Sequence, residues 1–148
     1  MIYTIHSEQH LKDIRKKIAN VDHSIRFAGV INDKGRLITG SARDNIQFYV
    51  DKREREMLFM EAALRTRMQG DFDICLGPMN FSIYHRKNII TMEFPIENAT
   101  VYVSSENDID LNDVPFRIVS LLKENTAKVL ESGICVQSSL LMEAKSEY

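Results

Sequence analysis

The sequence predicts an α+β fold: a five-stranded antiparallel sheet flanked by helices, in the order α-β-β-α-β-β-β-α. Three observations carry this expectation. Segments with apolar residues three and four apart, the spacing of a helix face, open the chain, fill its middle and recur near its end. Short runs rich in apolar residues lie between them, and the clearest alternate apolar and polar residues, as a half-buried strand does. Short turns join the strands within each group, so neighbours pair as hairpins while the second helix crosses between the groups.

The first helix is expected from Ser7 to Asn20, with the Ser7 hydroxyl capping a free amide of the first turn. Leu11, Ile14, Ile18 and Val21 form its apolar stripe, and Lys12, Arg15, Lys16 and Lys17 fall mostly off it. Strands from Arg26 to Ile31 and from Arg36 to Gly40 flank the turn Asn32-Asp33-Lys34-Gly35. Gly35 can take the positive φ that such a turn requires. Gly29 and Gly40, inside strands, point to close backbone approach or a bulge.

The second helix is expected from Lys52 to Met68, opened by Asp51 and Glu54 in the spacing of a capping box, with Gly70 as its stop. It carries two apolar stripes: Met57, Met60, Leu64 and Met68 on one side, and Leu58, Phe59, Ala62 and Ala63 on the other. The surface helix of a monomer needs only one, so this helix is expected to be covered on two sides. Strands follow from Met79 to His85, from Ile89 to Phe94 and from Thr100 to Ser105, the middle one ending near Pro95, which has no amide to donate. A last helix runs from Val114 to Leu130, with Asp113 before it and Pro115 in its first turn. Residues 1–132 read as one domain, and 133–148 as a C-terminal tail without a clear period that could pack on it.

Composition narrows the function classes. The chain has 148 residues, 44% hydrophobic and 27% charged, enough for one core and too apolar for a disordered chain. Its 19 basic and 21 acidic side chains leave a net charge of −2, so nothing favours general nucleic-acid binding. No apolar run approaches the ~20 residues that span a bilayer. The N-terminus lacks the pattern of a secretory signal, and two isolated cysteines suit a reducing compartment, so a cytoplasmic location is expected.

The run from Ile25 to Gly40, IRFAGVINDKGRLITG, together with the order of elements over residues 7–130, resembles the opening hairpin and layout of roadblock domains, relatives of the profilin and longin folds. Ser41 onward and the helix segment Met57 to Leu64 also look similar to short archaeal proteins of unknown function. The roadblock resemblance implies a dimer in which third strands pair edge to edge and second helices pack together. On this chain it puts Met57, Met60, Leu64 and Met68 against the partner copy. It puts Met79, Phe81 and Ile83, or the opposite row Asn80, Ser82 and Tyr84, at a shared sheet edge. A regulatory or scaffolding role toward a protein partner such as a small GTPase follows from the same resemblance.

Reactive constellations are not apparent. There is no glycine-rich phosphate loop and no zinc-ligand spacing, so no catalysis, metal or cofactor is expected. Cys75 and Cys135 read as buried or half-buried fillers. His6 and His10 are four apart, but His6 precedes the helix, and His23 and His85 are scattered. The basic group on the first helix and the His85-Arg86-Lys87 turn read as solvated faces, and Glu61, Asp71 and Asp73 form no convincing acid/base pair. The main alternative is a PAS-like small-molecule sensor, which needs a cavity lined by residues such as Phe27, Met92 and Phe94. A profilin-like polymer binder and a small enzyme are the others.

Overall fold

The structure is a computed structural model that describes residues 8–130. One antiparallel sheet runs in the order β2-β1-β5-β4-β3, built from β1 (Ile25–Asn32), β2 (Leu37–Ala42), β3 (Ser82–His85), β4 (Ile90–Ile96) and β5 (Ala99–Ser105). Helices α1 (Glu8–Ala19) and α4 (Val114–Leu130) cover one face, and α2 (Lys52–Gln69) lies on the other. The expected order of elements is present, with one short addition, α3 (Asp73–Leu76).

The two faces follow from strand alternation. On the α1/α4 face, Ala28, Val30, Met92, Phe94, Val101 and Val103 meet Leu11, Ile14 and Ile18 of α1 and Val114, Ile118 and Leu122 of α4. The helical spacing of those six positions aims them at one surface, and burying each stabilises by ~1.5–3 kcal/mol. The α2 face has a much smaller apolar core: Ile31 and Tyr102 against Phe59, Ala62 and Ala63, with Phe27 beside them. Elsewhere it is polar, with Thr91, Glu93, Thr100 and Ser104 in register beneath the helix.

The β1–β2 turn does more than reverse the chain. Asn32 Oδ1 accepts from the amides of Lys34 and Arg36, both at 2.9 Å, and Gly35 takes φ +80°. Gly35 also lies against α2, so close that a Cβ there would stand 2.5 Å from Met60 Cα. Inside the paired strands, Gly29 lies opposite Gly40, and both leave room for the ring of Phe27.

β2 ends at Ala42, two residues past the expected Gly40, and three further boundaries depart from expectation. Gly70 does not end the second helix in a left-handed turn: its φ is −58°, and the chain continues through a 3-10 turn, Gly70–Phe72, into α3. The positive φ comes instead at Gly77, φ +83° and ψ 158°, where the chain leaves α3. β4 runs past Pro95 to Ile96, because β3 begins only opposite Glu93. Pro95 flanks the pair Ile96–Ala99 that closes the hairpin, so its nitrogen points away from β5 to a side where no strand needs a donor. β3 itself is shorter than expected, starting at Ser82 rather than Met79. Ser7, His6, Cys135 and the 133–148 tail lie outside the described residues. No helix among the described residues is long and apolar enough to cross a membrane.

Candidate functional site: an exposed stripe of α2 and the β3 edge

Helix α2 is fixed to the sheet at several points. Asp51 and Glu54 form the expected capping box, Asp51 Oδ1 accepting from the Glu54 amide at 2.8 Å and Glu54 Oε1 from the Asp51 amide at 3.2 Å. Phe59 stacks edge-on with Tyr102, ring centroids 5.0 Å apart. Arg65 Nη2 donates to Glu93 Oε2 at 2.7 Å, and its guanidinium lies over the Tyr84 ring, 4.6 Å from the centroid. Burial works against the Arg65 charge, but the hydrogen bond and charge of Glu93, with Tyr84 and Glu61, hold its pKa above the ordinary value. Thr66 and Thr100 share a hydrogen bond of 3.0 Å. Burial likewise pushes the Tyr102 phenol up.

These attachments use one side of α2. The other side carries Met57, Met60, Leu64 and Met68, which are 54–60% exposed. Phe72, Ile74 and Leu76, in and before α3, continue the exposed apolar surface. Sequence reasoning misses them because a helix stop at Gly70 conceals the helical continuation that displays them.

β3 is an edge strand, paired only with β4. Its side chains divide between the faces. Phe81 and Ile83 pack against the α1/α4 core, with Phe81 5.9 Å from Phe94 and 5.3 Å from Phe116, ring centroid to centroid. Tyr84 lies on the α2 face beneath Arg65, and Ser82 shares that row. Met79 is half-buried ahead of the strand. The sheet therefore separates the Phe81 and Ile83 side chains from the α2 stripe, whereas the β3 backbone edge borders both faces.

The remaining residues that the sequence singles out also have places in the fold. Cys75 is exposed, not a filler, because α3 projects from the end of α2 without packing on the core. On α1, Lys12 pairs with Glu8, Arg15 donates to Thr39 Oγ1, and Lys17 reaches Asn125 Oδ1 at 3.5 Å. Among the described residues no cluster of three His, Cys, Asp or Glu side chains could hold a metal. The cavity required of a PAS-like sensor does not form around Phe27, Met92 and Phe94: Phe27 is on the α2 face, while Met92 and Phe94 are fully buried on the opposite one.

The chain is similar in fold to MglB, a gliding protein, from Thermus thermophilus (TM-score 0.62, 11% identity, covering 82% of this chain and 91% of that one). It is similar to Myxococcus xanthus MglB (TM-score 0.62, 14% identity, 87% and 93% covered). A roadblock/LC7 domain from Streptomyces avermitilis aligns with TM-score 0.57 at 8% identity, covering 84% and 98%. At these identities the likeness is one of fold, and the fold is that of roadblock domains. The expected likeness to archaeal proteins of unknown function finds no support in these relatives. Among curated proteins, none matches the chain. The model of a family of unknown function, DUF6659, matches residues 7–133, and this chain belongs to that family.

Proposed function

We propose that this chain is a non-catalytic interaction module that pairs with a second copy of itself through α2 and the β3 edge. The pair would then dock a protein partner such as a small GTPase. One observation carries the reading: α2 already spends one face on its own sheet, yet leaves Met57, Met60, Leu64 and Met68 more than half exposed. Covering each would recover ~1 kcal/mol, given ~1.5–3 kcal/mol for full burial. The unpaired edge of β3 lies on the same sheet and reaches the flank of α2 through Tyr84, whose ring sits under Arg65. An open strand edge and an exposed apolar stripe are the two surfaces that a self-pairing domain of this kind would cover. A structure of MglB, similar in fold at TM-score 0.62 and 11% identity, is described with a tetrameric arrangement. The partner step rests on the roadblock resemblance.

Light scattering on the full chain tests the reading. The expected mass is twice the 17.1 kDa of one chain, and Met57→Lys or Leu64→Lys should return it to the monomer. A charge buried there without a partner costs several kcal/mol. A monomeric wild type, or variants that remain dimeric, would overturn the interface. Co-purification of the dimer with a co-expressed small GTPase, lost in the monomeric variants, tests the partner step.

A further inference from the structure

A groove of about 600 Å³ opens on the α2 face at the end of the sheet where β1 and β4 begin and β5 ends. Its floor is Phe27, Tyr102, Thr91 and Ser104. The first half of α2 makes one wall, with Met57, Leu58 and Phe59. The segment 46–50 makes the end wall, and the 86–89 turn makes the opposite side.

Charge on the rim is divided by position, with both carboxylates, Glu54 and Glu61, on the α2 wall and Arg86 and Lys87 on the turn opposite. The carboxylates that line the groove are engaged within the chain: Glu54 closes the capping box and Glu61 lies 3.6 Å from Arg65. Arg26 is likewise paired, with Glu106 at 2.7 Å. Arg55, whose guanidinium lies over Phe48, 4.2 Å from the ring centroid, and the exposed Arg86 and Lys87 are different. None of these three has a carboxylate within ion-pair distance among the described residues. An apolar trough whose turn side carries cations without carboxylate partners favours a ligand with an apolar body and an anionic head seated at that turn. The volume falls in the ~300–1,000 Å³ range of small-molecule sites, and walls on three sides suit an end-on ligand better than a chain passing through.

We propose that this groove binds a small amphipathic anion, an acyl chain ending in a carboxylate, with its chain on Phe27, Met57, Leu58 and Tyr102 and its head at Arg86 and Lys87. The groove shares one wall residue, Met57, with the stripe proposed for self-pairing, but its floor and its cations, which lie on an exposed turn, do not belong to that stripe.

Calorimetric titration of the full chain with dodecanoate, below its micelle threshold, and with dodecanol tests it. Dodecanoate is expected to bind saturably and at least about tenfold more tightly than dodecanol. The double substitution Arg86→Ala/Lys87→Ala should remove that preference and leave dodecanol binding unchanged. Thr91→Trp, which fills the floor, should weaken both, and heat unfolding of each variant checks that it is folded. Equal binding of the two probes, no binding, or a preference that survives the double substitution would overturn the assignment. So would binding of an acidic, phenylalanine-containing peptide without dodecanoate binding, which would give the groove to a protein partner.

Discussion

Arg65 Nη2 stands 2.7 Å from Glu93 Oε2, joining a half-exposed helix residue to a carboxylate that is only 3% exposed. Glu93 faces α2 because strand alternation puts it there, between the apolar Met92 and Phe94 that point to the other core. The pair thus ties α2 across β4 toward the sheet edge, where the helix has little apolar contact of its own.

Removing one partner of this pair should cost more than removing both. Arg65→Met would leave the Glu93 carboxylate buried and unpaired, and is expected to lower stability by about 3 kcal/mol near neutral pH. Adding Glu93→Leu should restore most of that loss. Urea unfolding of the two single variants and the double variant measures the coupling, and strictly additive losses would show that the two residues act independently.

Two glycines should respond oppositely to alanine. Gly35→Ala meets both a φ of +80° and the Met60 backbone at 2.5 Å, so a loss of about 2 kcal/mol or more is expected. Gly70 has φ −58° and open space around its Cβ position, so Gly70→Ala should stabilise by ~0.4–1 kcal/mol. Thermal unfolding of both variants reads the contrast in sign.

The two sides of α2 should separate stability from assembly. Ala62 is fully buried against the sheet, so Ala62→Lys should destabilise the folded chain by several kcal/mol. Leu64→Lys is two residues away but 54% exposed, and should leave the unfolding midpoint of the monomer within ~0.5 kcal/mol while lowering self-association about a hundredfold. Circular dichroism and sedimentation together distinguish the outcomes.

The β3 edge has its own test. The hairpin bond from the Arg86 amide to the Ile89 carbonyl sets the ladder so that the His85 amide points outward, away from β4. His85→Pro should therefore keep the β3–β4 pairing and the fold, and weaken edge-to-edge association at least about tenfold. Unchanged association by sedimentation would remove β3 from the interface.

Asp22 gives a pH signature. The Ser24 amide donates to Asp22 Oδ1 at 3.1 Å and holds the carboxyl below its ordinary value of 3.8. A depressed carboxyl stabilises the fold above its unfolded-state pKa, and that contribution disappears as pH falls through the lower folded-state value. Asp22→Asn should thus cost up to about 1 kcal/mol near neutral pH, the scale of the one backbone hydrogen bond that lowers the carboxyl. The gap should close below about pH 3.8, as urea unfolding along a pH series would record.

Much of the architecture is legible in the sequence because local rules decide it. The stripes of α1 and α4, the capping box at Asp51 and Glu54, and the Gly35 turn each depend on neighbours a few residues apart, and each is present in the fold. So is the division of α2 into Phe59, Ala62 and Ala63 on one side and Met57, Met60, Leu64 and Met68 on the other, since helical period alone separates them. What tertiary structure decided concerns pairs distant in the chain. That Gly35 abuts Met60, that Arg65 reaches Glu93, that Phe81 and Ile83 turn to the α1/α4 core, and that Arg86 and Lys87 share a groove with Phe27 all depend on strand register and helix placement. Periodicity tells a side chain which face of its own element to take, and only the assembled sheet determines what that face will meet.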